Sequence, residues 1–235
     1  MAVISKKFEG LENEVPYFAR VFPINADGYA QSELDGQVAS AMPRASRLPH
    51  GYTEVEYIES TGTQYINTNV VSLNAERFVG RITPTALGTA VVIGIYQNLQ
   101  WHPLGFSQEK TAYSYSGWLN ANKNMAIGVE YEFETNFSNG NQSMKIDGEV
   151  VLSSSRTSTP PTIPYYLFAI NNNGNPSTHS KAKLDFLQIY QNDVLIRDFV
   201  PCVSDTEGAG LFDLVESKFY KNAGSGAFVA GNEVQ

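Results

Sequence analysis

The chain has 235 residues and a formal net charge of −8, with 42% hydrophobic and 17% charged residues. It lacks the basic surface that phosphate contacts require, which argues against nucleic acid as a direct partner and against binding to an anionic membrane surface. Aromatic residues make up 12% of the chain and Gly is frequent, a composition that suits pleated strands and tight turns. We therefore expect an all-β fold.

The fold has to be held by packing, because a single cysteine, Cys202, cannot form an internal disulfide. The first ten residues carry charges at Lys6, Lys7 and Glu9 and have no apolar stretch of the length that a signal peptide needs. No segment approaches the roughly 20 apolar residues of a membrane span. We expect neither a cleaved signal nor a membrane partner.

A stretch of turn-forming residues divides the chain. Two prolines, a glycine and a serine interrupt the apolar pattern between Met42 and Gly51. The sequence therefore predicts an N-terminal arm, a linker and a large C-terminal domain, over residues 1–43, 44–50 and 51–235.

Short predicted strands follow one another along the whole chain. In the arm, residues 15–22 and 31–41 are predicted to form a hairpin across a turn at 25–28. In the large domain the predicted strands lie at residues 54–59, 65–68, 77–83, 90–96, 113–118, 126–135, 142–146, 149–152, 165–170, 183–191, 194–200, 210–213 and 218–221. About a dozen short strands without a long helical period are typical of a β-sandwich.

Three turn signals stand out between these strands. The pair Asp147-Gly148 predicts a tight hairpin, since both residues tolerate the positive φ of a type I′ turn. Residues 153–164 are a Ser/Thr/Pro loop, and residues 171–176 form a second polar loop. We expect the second loop at one end of the sandwich, where binding surfaces are commonly built.

Both ends of the large domain resemble one known fold family. Residues 51–68, GYTEVEYIESTGTQYINT, resemble the opening of the concanavalin A-like or laminin-G-like domain found in structural proteins of tailed phages. The closing segments LQIY (187–190), LIRDFVP (195–201), GAGLFD (208–213) and KFYKNAGSG (218–226) are similar to the end of the same domain. The resemblance implies an all-β, two-sheet antiparallel jelly-roll sandwich, with the β-hairpin arm preceding it.

The arm resembles the last part of a fibronectin type III module. The similarity covers Gly10-Leu11, residues 17–22, Asn25 and Gly28, and it implies that Tyr17 takes the role of the tyrosine corner. The front half of such a module is missing, and a two-stranded hairpin alone is marginal in water and has unpaired edges. We therefore expect residues 1–43 to dock on other virion proteins, on a neighbouring copy or on their own sandwich.

An acidic cluster at Glu54, Glu56 and Glu59 is similar to that of laminarinase-type glycoside hydrolases, which share this fold. Retaining hydrolysis needs two carboxyl groups about 5–5.5 Å apart. In a regular strand Glu54 and Glu56 share one face and Glu59 lies on the other, so the three converge only across a bulge. We interpret them as solvent-facing residues of the first strand and expect no catalytic residue.

An aromatic and amide neighbourhood is the predicted ligand site. It comprises Tyr96, Asn98, Trp101, Tyr115 and Trp118. Sugars present apolar C–H faces and hydroxyl groups, so a site for them combines aromatic rings with amide hydrogen-bonding groups. The alternative is that these rings fill the core or a subunit contact, where aromatic residues also dominate the energetics.

No metal or cofactor motif is present in the sequence. His50, His102 and His179 are far apart, and the one thiol is isolated. Calcium needs only oxygen ligands, and one loop offers Asp147, Asn139 and Asn141; an Asx-rich turn explains the same residues. We expect no cofactor and no metal.

The resemblance implies a virion structural protein, as a decoration, head-fibre or tail-tip component, that is made in the bacterial cytoplasm. Its implied partners are host-surface polysaccharide and other virion proteins, and we expect a homo-oligomer, a trimer or a dimer. The alternatives are a cement protein without glycan binding and a glycoside hydrolase. Within the family-like motifs, Arg197-Asp198 is interpreted as contributing a structural ion pair and residues 222–226 as a glycine-driven turn that closes the sandwich.

Overall fold

The computed structural model describes residues 17–21, 37–41, 47–88, 90–107, 110–111, 121, 123–138, 140–157 and 159–234. The chain divides into two compact units, residues 1–47 together with 235, and residues 48–234. In the described residues all regular structure is β-strand. This part of the chain contains no apolar helix long enough to cross a membrane.

Two strands of the smaller unit, β1 (Tyr17–Val21) and β2 (Gln37–Ala41), pair in antiparallel fashion. The strands of the larger unit are β3 (Tyr52–Glu54), β4 (Ile58–Thr61), β5 (Ile66–Val71), β6 (Ala75–Pro84), β7 (Ala90–Gln97), β8 (Gln100–Ser107), β9 (Lys110–Thr111), β10 (Tyr131–Ser138), β11 (Asn141–Ile146), β12 (Glu149–Ser154), β13 (Pro164–Leu167), β14 (Ile170–Asn172), β15 (Asn175–Ser177), β16 (Lys181–Gln191), β17 (Val194–Ser204), β18 (Gly208–Asp213), β19 (Lys218–Lys221) and β20 (Val229–Ala230).

These strands form two sheets. The larger sheet has the order β12-β11-β10-β6-β16-β17-β18-β19; in addition, β3 pairs with β17, β4 pairs with β16, and β20 pairs with β4. The smaller sheet has the order β15-β14-β7-β13-β5; in addition, β8 pairs with β7, and β9 pairs with β8. This architecture confirms the predicted all-β sandwich.

The core lies between the two sheets. Side chains of β6 alternate between half-buried and buried, the period expected of a strand with one covered face. Phe78 on β6 lies 5.0 Å from Tyr165 on β13 and 5.4 Å from Phe137 on β10, measured between ring centroids, and both pairs are edge-to-face. All three rings are fully buried, so aromatic contacts join the two layers at the centre.

The segment predicted as the first strand of the domain forms two strands, β3 and β4, which pair with different neighbours. β3 pairs with the end of β17, and β4 pairs with the beginning of β16. The chain breaks its regular structure around Val55 and Tyr57 because the neighbour on its edge changes there. The prediction of one strand over residues 54–59 was therefore wrong. Val55 and Ile58 are nevertheless both buried.

The C-terminal segment returns along this first strand. The amide of Gly231 donates to the carbonyl of Tyr57 over 2.9 Å, and the amide of Val234 donates to that of Glu54 over 3.0 Å. Gln64 is buried, and its Nε2 donates to the carbonyl of Ala227 over 3.0 Å. The beginning and the end of the sandwich thus hold each other.

Other local predictions had mixed outcomes. Asp147 and Gly148 have φ of +51° and +78° between β11 and β12, which confirms the predicted tight turn. Residues 165–170 are not one strand, because Phe168 adopts a φ of +61° and separates β13 from β14. β8 and β15 were not predicted, and the strand predicted at 113–118 lies outside the described residues.

A second apolar cluster covers Cys202. It consists of Leu48, Val200, Cys202 and Phe212, with Tyr52 packed against it. Burial raises the pKa of the Cys202 thiol to about 12, which keeps it protonated and weakly nucleophilic. Through this cluster, the first residues of the larger unit pack against β17 and β18.

A bulge in β16 brings two carboxyl groups together. The register with β6 shifts between Leu184 and Phe186, at Asp185. Burial, together with a hydrogen bond to Glu130 and the like charge of that residue, raises the pKa of Asp185 to about 7. The positive charge of Arg81 partly offsets this rise in the pKa of Asp185. Nε of Arg81 lies 3.5 Å from a carboxylate oxygen of Glu130.

This pair predicts how stability depends on pH. A carboxyl group in the unfolded chain titrates near about pH 4, so between that value and about pH 7 the folded protein holds a proton that the unfolded chain has lost. The free energy of unfolding should therefore decrease as pH rises through this window and level off above it. The Asp185→Asn variant should show a flatter profile in denaturant unfolding across pH. Asp193→Asn, in an exposed turn, serves as control; parallel profiles for all three proteins would contradict the account.

The closure of the domain predicts an intolerant glycine. A Cβ on Gly224 would lie 2.1 Å from the carbonyl oxygen of Thr63, whereas a Cβ on Gly88 meets nothing within 4 Å. Because a backbone atom cannot move aside cheaply, Gly224→Ala should lower the free energy of unfolding by about 2 kcal/mol, in the range of overpacked sites. Gly88→Ala is the matched control in thermal unfolding. Equal stability of the two variants would show that the closing turn is not tightly packed.

Candidate functional site

Three of the five predicted ligand-binding residues lie on one hairpin of the smaller sheet. Tyr96 on β7 is half-buried and pairs in register with Trp101 on β8. Asn98 is exposed in the turn between these strands, with a φ of +51°. For Trp101 the description covers the backbone, and Tyr115 and Trp118 lie outside the described residues. The site formed by all five residues therefore stays a prediction.

The predicted polar loop lies directly beside Tyr96. It forms the amide hairpin, a name used here for residues 170–177, which comprise β14, β15 and the turn between them. Asn172 pairs in register with Tyr96. The amide of Asn173 donates a hydrogen bond to the carbonyl oxygen of Tyr96 over 2.9 Å. Two segments that are more than 70 positions apart in the sequence thus form one surface.

One buried amide fixes the amide hairpin. Asn171 is 1% exposed; its Nδ2 donates to the carbonyl of Pro164 over 2.7 Å, and its Oδ1 accepts from the amide of Gly174 over 2.8 Å. Asn173 and Gly174 have φ of +50° and +93°, the left-handed values that a two-residue hairpin turn requires. The exposed amides of Asn173 and Asn175 are therefore carried on a rigid support.

Three rings form an aromatic stack next to the amide hairpin. The ring centroids of Tyr65 and Tyr166 are 4.7 Å apart with an interplanar angle of 31°, and His179 lies edge-on to Tyr65 at 6.2 Å. The hydroxyl of Tyr166 donates to the carbonyl of Gly174 in the hairpin turn over 3.5 Å. Tyr166 is 7% exposed, while Tyr65 and His179 are half-buried. The accessible faces of the stack are those of Tyr65 and His179.

Burial favours the neutral forms of two rings of the stack. It raises the pKa of Tyr166 above its ordinary value, and the neighbouring Tyr65 adds to the rise. It lowers the pKa of His179, which favours the uncharged imidazole. The asparagines of the amide hairpin carry no charge either. The surface is therefore suited to an uncharged, hydroxyl-rich ligand.

The closing turn positions Tyr65. The amide of Ala223 donates to the carbonyl of Tyr65 over 2.8 Å, and the amide of Tyr65 donates to Oδ1 of Asn222 over 3.1 Å. Asn222 also donates through Nδ2 to the carbonyl of Gly226 over 2.9 Å. The turn at residues 222–226 is thus structural, as expected, and it also fixes one ring of the stack.

The sequence did not identify the aromatic stack. Tyr65 belongs to the family-like opening motif, where it was interpreted only as part of a strand. Tyr166 and His179 are about 100 residues further along, and no local spacing connects them to Tyr65. A signal was present in the alternation of β13, where Tyr165 and Leu167 belong to the core and Tyr166 lies on the opposite face.

The acidic cluster of the first strand takes part in closing the domain. Oε2 of Glu56 accepts hydrogen bonds from the amide and from Nδ2 of Asn232, over 3.3 and 3.0 Å. Glu59 lies in register with Lys183 on β16 and with Val229 on β20. Glu54 is the last residue of β3 and Glu59 belongs to β4, so these two residues lie on strands with different partners. These positions agree with a structural interpretation of the cluster.

Arg197 forms ion pairs, though not with its sequence neighbour. Its Nε lies 3.5 Å from a carboxylate oxygen of Asp213 and its Nη1 lies 2.7 Å from one of Glu216. Asp198 instead accepts a hydrogen bond from Nε2 of Gln188 over 3.3 Å. Because Arg197 is 9% exposed, the motif fixes the β17–β18 pair and offers little surface to a ligand.

The residues considered for calcium do not share one loop, because Asn141 begins β11 and Asp147 follows the other end of that strand. Oδ1 of Asp147 accepts from the amide of Glu132 over 3.0 Å, and Asn139 lies outside the described residues. In the part of the chain that the structure describes, no three His, Cys, Asp or Glu side chains are arranged to hold a metal ion.

No protein-family model and no curated protein sequence matches the chain. Among solved structures, a Bacteroides ovatus protein described as a candidate carbohydrate-binding protein superimposes with a TM-score of 0.54 at 10% identity, over 94% of this chain and 72% of that chain. A heptameric SAP-like pentraxin from Limulus polyphemus gives a TM-score of 0.46 at 8% identity, over 77% of this chain and 94% of that chain. Domains LG4-5 of the mouse laminin α1 chain give 0.41 at 14% identity, over 67% and 48%. The chain shares the two-sheet jelly-roll sandwich fold with the Bacteroides ovatus protein.

Proposed function

We propose that the sandwich is a non-catalytic, glycan-binding domain of a tailed-phage virion structural protein, and that it binds host-surface polysaccharide. One observation carries the glycan-binding part of this proposal. The aromatic stack of Tyr65, Tyr166 and His179 lies against the amide hairpin, and Tyr96 borders the same hairpin.

The chemistry of this surface matches that of a sugar. The faces of Tyr65 and His179 can cover the apolar C–H face of a pyranose ring, because both rings are partly exposed and neutral. The amides of Asn173 and Asn175 can donate to and accept from sugar hydroxyl groups. Since Asn171 holds the hairpin in one conformation, little ordering entropy is lost on binding.

The fold is compatible with this function but does not imply it. A protein of the same fold, that from Bacteroides ovatus, is described as a candidate carbohydrate-binding protein, at 10% identity. The sandwich also carries enzymes and inert spacers, so the argument depends on the site. The non-catalytic assignment is supported by Glu56, whose carboxylate is bound to Asn232 in the closure of the domain.

The virion role is supported by the sequence resemblance at both ends of the domain, residues 51–68 and 187–226. We propose that residues 1–43 attach the protein to other virion proteins as a decoration, head-fibre or tail-tip component. The β1–β2 pair is too small to be stable alone, and neither of its edges pairs with another strand among the described residues. A homo-oligomer would multiply a weak affinity for polysaccharide through effective concentration.

A pair of substitutions at Tyr65 tests the binding site. Tyr65→Ala removes the ring and should weaken binding of host-surface polysaccharide about fivefold, since an aromatic contact contributes roughly 1 kcal/mol. Tyr65→Phe keeps the ring and should bind like the intact protein. Binding is measured on a glycan array and by calorimetry with the polysaccharide that binds best, with thermal unfolding of each variant as the check on folding.

Three outcomes would each contradict one part of the proposed function. Equal affinity of the Tyr65→Ala variant and the intact protein would remove the aromatic stack as the site. Absence of binding by the intact protein would contradict the glycan-binding function and leave the role of a cement protein. Turnover of β-glucan that is lost in Glu56→Gln would contradict the non-catalytic assignment.

Removal of the arm tests the attachment. A protein that lacks residues 1–43 should keep the thermal transition of the sandwich, because residues 48–234 form a compact unit of their own. Its incorporation into phage particles should decrease strongly when purified particles are compared by quantitative blotting. Undiminished incorporation would show that the sandwich itself carries the attachment.

A further inference from the structure

The outer face of the larger sheet carries an arginine that lies flat on a tyrosine ring. The guanidinium carbon of Arg77 on β6 is 3.8 Å from the ring centroid of Tyr190 on β16. The two residues are direct cross-strand partners. Both are half-buried, whereas their neighbours Phe78 and Ile189 are buried in the core. The pair therefore faces away from the sandwich interior.

Within the described part of the sandwich, Arg77 differs from Arg81 and Arg197 in having no ion pair with a carboxylate. Arg81 lies within 3.5 Å of Glu130 and 3.4 Å of Glu132, and Arg197 pairs with acidic side chains as described above. Among the described residues no carboxylate pairs with Arg77. In a chain with a net charge of −8, an unpaired guanidinium is a local exception that an anionic ligand would complement.

The neighbouring groups hold the pair in place without neutralising it. The hydroxyl of Tyr190 donates to Oε1 of Gln188 over 2.9 Å, and Nε2 of Gln188 donates to Asp198 over 3.3 Å. Glu134, two residues before the position opposite Arg77, is paired with Lys145 over 3.1 Å. The ring is thus fixed, and the nearby acidic groups already have partners.

We propose that Arg77, supported by Tyr190, is a second binding site that takes the carboxylate of a uronic acid residue in an acidic polysaccharide. The inference rests on the proposed glycan-binding function and adds a substrate class to it. A guanidinium stacked on a ring keeps its edge N–H groups available, and their fork matches a planar carboxylate in bidentate fashion. A single cation suits a singly charged group, and the net negative charge of the protein disfavours more highly charged polymers.

This site is separate from the aromatic stack. Arg77 and Tyr190 belong to the larger sheet, and Tyr166 belongs to the smaller one. A chain with both sites would bind a polysaccharide that contains neutral and acidic sugars at two places. Loss of one site can therefore be measured while the other is intact.

The test compares an acidic sugar with its neutral derivative. The intact full-length protein should bind a galacturonate hexasaccharide at 0.15 M salt more tightly than the methyl ester of the same hexasaccharide. Arg77→Gln should weaken binding of the acid about tenfold, the effect of losing hydrogen bonds to a charged group, and should leave the ester unchanged. Arg77→Lys should recover only part of the affinity, because lysine lacks the planar fork. Arg81→Gln is the control at an arginine that is already ion-paired.

Three results would overturn this second site. They are absence of binding of the hexasaccharide by the intact protein, equal affinity for acid and ester, and an Arg77→Gln variant that binds the acid like the intact protein. The Tyr65→Ala variant separates this inference from the proposed function. It should keep the acid-specific binding while it loses affinity for neutral polysaccharide, and thermal unfolding confirms that each variant is folded.

Discussion

The sandwich depends on the antiparallel return of its C-terminal segment along its first strand. Between Glu54 and Tyr65 the chain exchanges hydrogen bonds with residues 222–234, and the buried Gln64 connects the two segments. No disulfide reinforces this contact, since Cys202 is the one cysteine of the chain. The same contact fixes the backbone of Tyr65. The closure that completes the fold therefore also positions one of the two accessible rings of the aromatic stack.

The closure joins the two end segments of the sandwich on which the proposed resemblance to phage domains is based. Residues 51–68 and 218–226 are far apart in the sequence but contact each other in space, through Thr63, Tyr65, Asn222 and Gly224. The geometry of one segment restricts what the other can be. The strands between them need only an alternating pattern that fills the core, which many sequences satisfy. In the proposed glycan binding, the contacts to the sugar come from the aromatic stack and the amide hairpin, which this closed sandwich supports.

The sequence predicted most strands because alternation and turn residues are local signals. It failed where long-range pairing decides the structure: the first strand breaks near Val55 because its neighbour changes from β17 to β16, and Phe168 takes a left-handed φ that no local pattern indicates. For the candidate site, the turn at Asn173 and Gly174 was predictable from asparagine and glycine content, whereas the strands β14 and β15 on either side of it were largely predicted as loop. The stack of Tyr65, Tyr166 and His179 was not predictable, because it joins three distant segments.

The central claim is that a glycan binds across the aromatic stack and the amide hairpin. Its most direct test is an NMR titration of the isotope-labelled full-length protein with an oligosaccharide prepared from the host-surface polysaccharide. The account predicts saturable shifts of the side-chain amide signals of Asn173 and Asn175 and of the imidazole signals of His179. Saturable binding that leaves these signals unchanged and shifts others instead would contradict it.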